Sequence, residues 1–221
     1  MNLNCIESAA SEPAFVSDGV VPESINSGGV ATQHSDDYDA TVFKAVSGYR
    51  ERGWHVLPFN RAVGYCTLDK EQQQAFTCAA KDIGTKFMGM DVGADLHASN
   101  LVGIDVDCPE AAAFLRALLP PTCVIGREGK STSWMFYRLN GTIPKNVSFR
   151  DYSLNGQPGP ELGGVKVKAA VALPPSRHRK TQETLVWKND VEPVVIEVEW
   201  FMRMVSICFA LVLIARHWPG P

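Results

Sequence analysis

Leu101-Val102-Gly103-Ile104-Asp105-Val106-Asp107-Cys108-Pro109-Glu110 reads as a strand that turns directly into a helix. The apolar run suits a buried strand. Pro109 and Glu110 suit a first helical turn, where a fixed φ and a negative charge are both favoured. In a strand, residues i and i+2 share a face. Asp105 and Asp107 therefore project together, while Ile104 and Val106 turn to the core. Two adjacent carboxylates repel by roughly several tenths to a few kcal/mol unless a cation lies between them. A hard divalent cation such as Mg²⁺ or Mn²⁺ suits such an oxygen pair. An Asp-x-Asp alone is weak evidence, since many strand ends carry two solvated acids. Its place at a strand-to-helix junction, where a ligand can reach the sheet edge, strengthens the reading.

Outward from this segment the pattern is β-α-β-β. The helix from Cys108 is stopped near Leu119 by Pro120-Pro121. Thr122 to Gly126 and Ser133 to Leu139 read as strands. Upstream, a helix capped by Asp36 or Asp37 carries Val42, Val46 and Tyr49 and ends at Gly53. Trp54 to Phe59 reads as a strand, Asp69 to Ala80 as a helix, and Phe87 to Val92 as a short apolar stretch. Downstream, residues 140–160 carry Gly, Pro and Asn and read mostly as loop. Val165 to Leu173 is a strand stopped by Pro174-Pro175, Thr184 to Trp187 a short strand, and Ile196 to Arg216 a final helix. The expected class is α+β: a mixed sheet covered by helices on one side.

The chain has 221 residues, 45% of them hydrophobic, enough for a substantial core. Six cysteines lie far apart with no C-x-x-C pair, which argues for reduced thiols and against a zinc or disulfide framework. No signal peptide is visible. The apolar run Met204 to Ala215 is shorter than the roughly 18 residues that span a bilayer, and it reads as a buried helix. The expected setting is the cytoplasm, without a membrane. The net charge is −3, but residues 1–40 hold seven acids and no Lys or Arg. Residues 1–38 read as a disordered acidic leader. The rest carries 17 acids against 21 bases, and residues 127–188 hold eleven bases against four acids. Such a basic surface fits phosphate contact, as it also fits an ordinary solvated face.

Two basic clusters follow the acid pair. Gly126-Arg127-Glu128-Gly129-Lys130-Ser131-Thr132-Ser133 links two strands. Arg127 offers a planar fork of donors, Lys130 a point charge, and Ser133 a hydroxyl. Such a loop can cradle a triphosphate, and an ordinary polar hairpin has the same composition. Pro174-Pro175-Ser176-Arg177-His178-Arg179-Lys180 leaves another strand. Arg179 and Lys180 are placed to meet template phosphates, unless this is a plain basic turn. His55 and His97 read as structural, and Trp200, Phe201, Met204 and Phe209 as core packing at helical spacing.

In this order the clusters resemble the primase-polymerase family of phage, plasmid and prophage replication proteins, within the archaeo-eukaryotic primase superfamily. The resemblance runs over about residues 40–221. It begins at Tyr49-Arg50-Glu51-Arg52-Gly53-Trp54-His55-Val56-Leu57-Pro58. It continues through Gly103-Ile104-Asp105-Val106-Asp107, through Gly126-Arg127 to Tyr137-Arg138, and through Pro174 to His178 with Trp187. It implies a primase-polymerase fold: a split RRM-like catalytic core with an N-terminal α/β lobe, here residues 39–195, and then a C-terminal helix over 196–221. It also implies DNA primase and polymerase activity from nucleoside triphosphates on a DNA template and primer. The closing Ala215-Arg216-His217-Trp218-Pro219 resembles the link to a downstream region, often a helicase, in longer members. By position Asp105 and Asp107 would be metal ligands. Arg127, Lys130 and Ser133 would hold the triphosphate, and Ser176 and His178 would border the nucleotide. The third metal carboxylate of the family corresponds to Glu161, or else its place falls to Lys166 and the site has two acids. The His that the family usually carries after the serine is Trp134 here. A catalytically weakened primase-like DNA-binding module is the alternative, and a metal-dependent nuclease a weaker third.

Overall fold

The structure, a computed structural model, describes residues 31–152 and 157–218. Helix α1 (Ala31–Glu51) opens the chain. It starts ahead of the Asp36 and Asp37 caps expected from sequence. Most of the proposed acidic leader, residues 1–30, lies outside the described residues.

Two sheets follow. The first is antiparallel, in the order β1 (Val56–Asn60), β2 (Met90–Asp95), β8 (Ala170–Ala172). The second has a path β6 (Val147–Arg150), β7 (Glu161–Lys166), β3 (Val102–Val106), β5 (Lys130–Asn140), β4 (Cys123–Arg127), β9 (Val186–Asn189). Strand β10 (Val194–Glu197) pairs with the far end of β5 in parallel, so this sheet is mixed. Short helices α2 (Lys70–Ala75) and α3 (Ile83–Phe87) bridge β1 and β2. Helices α4 (Pro109–Leu118) and α5 (Val198–His217) complete the described chain.

Each face of the large sheet has its own core. On one side Ile104, Val106, Met135 and Val165 pack on Ala111 and Leu115 of α4 and on Phe201, Val205, Phe209 and Val212 of α5. On the other, Cys123, Ile125 and Phe136 pack against the small sheet and α1, through Trp54, Val92, Val42 and Val46. The two layers are not separate segments of the chain. They interleave, because β8 returns from the large sheet to complete the small one.

Several elements depart from the sequence reading. The helix expected over Asp69–Ala80 stops at Phe76, although Asp69 and Gln72 form its reciprocal capping box. The chain leaves the helix there, and the Phe76 ring meets Phe87 edge-on with centroids 6.2 Å apart. The loop assigned to 140–160 contains edge strand β6. The strand expected over Val165–Leu173 is two strands in different sheets. Trp200, expected in the core, is 43% exposed. Helix α5 is long and apolar enough to cross a membrane by length and composition alone, yet one of its faces lies in the core.

Strand β7 pairs with β3 in unbroken antiparallel register. Asp105 pairs with Gly164 and Val106 with Gly163. On the other edge the register slips, with Phe149 opposite Gly163 but Arg150 opposite Glu161. Leu162 thereby turns into the core at 0% exposure. Gly163 holds φ +142°, and a Cβ there would lie 2.3 Å from the Asp105 carbonyl oxygen. Gly163→Ala therefore combines backbone strain with overlap beside the acid pair. It is expected to lower stability by about 2 kcal/mol or more, read as a lower urea midpoint. A midpoint equal to wild type would sink the close approach of β7 to β3.

Candidate active site

Asp105 and Asp107 emerge on the same side of β3, as the alternation requires, with Ile104 and Val106 fully buried on the other. They line a cleft of about 460 Å³ between the two sheets. Its floor is β3 and β5, and its opposite wall is Phe59 of β1 with Ala170, Val171 and Ala172 of β8. Arg127, Lys130, Ser133, Arg177, His178 and Arg179 line the same cleft.

The Arg127–Lys130 cluster is a tight hairpin between β4 and β5. Lys130 Nζ reaches to 3.3 Å from Asp107 Oδ1. Arg127 Nη1 donates to Ser133 Oγ at 3.3 Å. The β4–β5 register slips between Ile125 and Arg127, and adjacent Ser133 and Trp134 both come to line the cleft. Burial, followed by the charge of Asp107, pushes the Asp105 carboxyl up to about 6. Lys130 and Lys166 oppose that rise and Glu161 adds to it. His178 is held below its ordinary value, first by burial and then by Arg127 and Lys130.

Glu183, which the sequence reading passed over, fixes the hairpin. Its carboxylate accepts from Arg127 Nε at 2.7 Å, from the Gly129 amide at 2.6 Å and from Thr181 Oγ1 at 2.6 Å. It is one of only four acids among eleven bases over 127–188, and that isolation was the available signal. The Arg177–Arg179 loop is anchored from below. Asp91, 1% exposed, accepts from the Arg177 amide at 3.1 Å and from Tyr38 Oη at 2.9 Å. Tyr38 Oη shares its one proton between Asp91 and the Pro175 carbonyl 3.0 Å away, and Tyr49 of α1 donates to the carbonyl of Pro174, which a cis peptide bond joins to Pro175. Arg179 leaves this loop with its guanidinium 5.2 Å from the centroid of the Tyr65 ring, another cleft residue. Lys180 does not line the cleft.

Two expected site residues are elsewhere. Ser176 is fully buried. Its hydroxyl donates to the Val92 carbonyl at 2.7 Å and accepts from the Val92 amide at 2.8 Å, so it fastens the loop to β2 and has no surface for a nucleotide. Glu161 lies outside the cleft lining. The β7 bulge turns it to the Lys166 side of the strand, where Lys166 Nζ lies 3.0 Å away and Arg150 Nη2 3.8 Å. Among the described residues no group of three or more His, Cys, Asp or Glu side chains is arranged to hold a metal ion. The expected third ligand is thus not assembled with the acid pair. Two carboxylates still fit Mg²⁺ or Mn²⁺, because such ions retain waters and are commonly held by one or two acids together with substrate phosphates.

Trp134 lies opposite Asp105 on β5. Its ring stacks on Phe136, with centroids 6.0 Å apart and planes 3° apart. A Cβ on Gly103 would approach Trp134 to 2.9 Å, so the glycine makes room for the indole. The indole gives the cleft a flat apolar floor beside the acids.

The raised Asp105 carboxyl has a consequence for stability. Its folded-state value, about 6, lies above the ordinary 3.8. Ionised Asp105 therefore opposes folding at pH 7, and that opposition fades as pH falls through 6 towards 4. After allowance for solvent screening, Asp105→Asn is expected to stabilise the metal-free protein by about 1–2 kcal/mol at pH 7. The gain should vanish by pH 4. Denaturant melts at both values test this, and a variant no more stable than wild type at pH 7 would contradict it.

No curated protein matches the chain. A family model described as "bifunctional DNA primase/polymerase, N-terminal" matches residues 47–200, well over half of the sequence and including both the acid pair and the basic hairpin. The chain belongs to the bifunctional DNA primase/polymerase family.

Proposed function

We propose that this domain carries out template-directed nucleotidyl transfer in DNA replication, with Asp105 and Asp107 holding Mg²⁺ or Mn²⁺. The observation that carries the reading is the meeting, in one cleft, of two same-face carboxylates and a hairpin bearing Arg127 and Lys130. Carboxylates need cations, a triphosphate needs cations, and the cleft presents both partners at its junction.

Bound divalent ions would neutralise triphosphate charge, favour ionisation of a primer 3′-hydroxyl and stabilise the departing pyrophosphate. The chain's own residues supply position. Asp105 and Asp107 fix the metal end. Arg127, oriented by Glu183, offers its remaining donors to the β- and γ-phosphates. Lys130 swings between Asp107 and the phosphates. Ser133 and His178 border the same anion, and Trp134 offers a face to sugar or base. The O3′–Pα bond forms as the bond from Pα to the pyrophosphate oxygen breaks, and the hydroxyl proton passes to water. DNA template, primer and nucleoside triphosphates are the partners of this reading, with a helicase in a longer chain and the cytoplasm as the setting.

Asp105→Ala with Asp107→Ala should abolish incorporation on a primed template in Mn²⁺, by at least about a thousandfold, while DNA affinity changes little. Full extension by that double variant would end the polymerase reading. Glu183→Gln should raise KM for the nucleoside triphosphate about fivefold without altering DNA affinity, since Arg127 loses its orienting partner. Equal KM values would remove Glu183 from the triphosphate site.

The absence of a histidine at Trp134 and the capture of Glu161 by Lys166 favour one second reading, a primase-like module that binds DNA without chemistry. The same assay decides it: binding with no product from the wild-type domain supports the module.

A further inference from the structure

Nucleotidyl transfer has two substrates, and two cavities converge on Asp107. The cleft between the sheets is one. The other is a groove on the opposite side of the hairpin, between α4 and β4–β5. It starts at Asp107 as a cavity of about 410 Å³ that shares Arg127 and Lys130 with the cleft. It continues into a second cavity of about 470 Å³, and Arg116, Ser131 and Thr132 line both. The far part is walled by Leu119, Pro120, Pro121, Val124 and Met135, and Lys188 stands at its rim. The only acid lining either cavity is Asp107 itself.

The chemistry of this groove fits a polynucleotide strand. Cations from Lys130 through Arg116 to Lys188 follow its course, as a row of phosphates requires. Flat apolar walls of proline, leucine and methionine suit unpaired bases. Arg116 extends from the exposed side of α4 and donates to Thr132 Oγ1, which holds its guanidinium beside the groove. The groove ends at the acid that would hold the metal, where a strand terminus must arrive to react.

We infer that the α4–hairpin groove holds the nucleic-acid strand whose 3′-end reacts, while the cleft between the sheets takes the nucleoside triphosphate. The inference rests on the nucleotidyl-transfer reading above and adds which face of the hairpin serves which substrate. Arg116 and Lys188 are strand-positioning residues. Neither lines the cleft between the sheets, so neither contacts the triphosphate.

The test uses the full chain, a fluorescent primed template and Mn²⁺. Two variants probe the groove. Arg116→Glu with Lys188→Glu reverses its charge at two exposed positions, and Ala113→Glu places a carboxylate on the exposed α4 flank near Asp107. Both should raise KM for primed template by about tenfold or more and leave KM for the nucleoside triphosphate within about twofold. With Arg116→Ala and Lys188→Ala, the slope of log affinity against log salt should become shallower by about 0.7 for each lost cation. Thermal melts equal to wild type show that the fold is retained. If the wild type extends primers and all these variants match its primer KM and salt slope, the groove is not the strand site and the inference falls alone. A rise confined to KM for the triphosphate would overturn it equally, by moving the triphosphate into the groove. If the wild type neither extends nor binds primed DNA, the nucleotidyl-transfer reading falls first and takes the inference with it.

Discussion

Asp105 and Asp107 stand on one face of β3 with like charges, and the surroundings of Asp105 deepen their repulsion by removing water. A strand with neither acid would be more stable. The fold retains the pair because the opposite face of β3 is fully used: Ile104 and Val106 pack on α4 and α5, and that burial outweighs the electrostatic cost on the cleft side. Neighbouring lysines limit the cost further. Lys130 approaches Asp107 from the hairpin, and Lys166 acts on Asp105 from β7 while tied to Glu161. The acids are thus held short of full neutralisation, and a divalent cation would complete it.

The same constraint explains why distant elements converge on the cleft. Arg127 is aligned by Glu183, some 56 residues later in the chain. The Arg177–Arg179 loop is aligned by Asp91 of β2 and by tyrosines of α1. Isolated surface ion pairs contribute little. These contacts differ, because each buried or part-buried acid receives several donors at once, which fixes direction as well as proximity. Basic side chains pointed at a shared anion site repel one another. They need such anchors to stay in place before the anion arrives.

What could be read from the sequence follows from how local the cause is. The β3–α4 junction was legible because alternation, Pro109 and Glu110 act within a few residues. The boundary of α4 came out almost as read. The hairpin was legible from its glycines and strand flanks. The split between β7 and β8 was not, since the apolar run 165–173 reads as one strand and only tertiary pairing shows the chain changing sheets. Strand β6 was missed because an edge strand with one half-buried face carries little apolar signal. The direction of Glu161 was not legible, because a single bulge at Leu162–Gly163 decides which side each β7 residue takes. Ser176 matched the motif in sequence, yet packing assigned its hydroxyl to the Val92 backbone. Trp200 was assigned to the core by helical spacing, but α5 has two apolar stripes, and the sheet covers only the one through Phe201, Val205 and Val212.

The tryptophan at position 134 is less of a loss than residue type alone suggests. An imidazole there would share its environment with His178, which burial and the charges of Arg127 and Lys130 already hold below its ordinary value. A second imidazole in the same cleft would meet the same cations, which disfavour its charged form. The permanent positive charges lining the cleft are Arg127, Lys130, Arg177 and Arg179. An indole keeps one N–H donor and adds a broad apolar face. The exchange therefore trades one hydrogen-bonding nitrogen for a stacking surface, and leaves the electrostatic attraction for a triphosphate with the residues that were already carrying it.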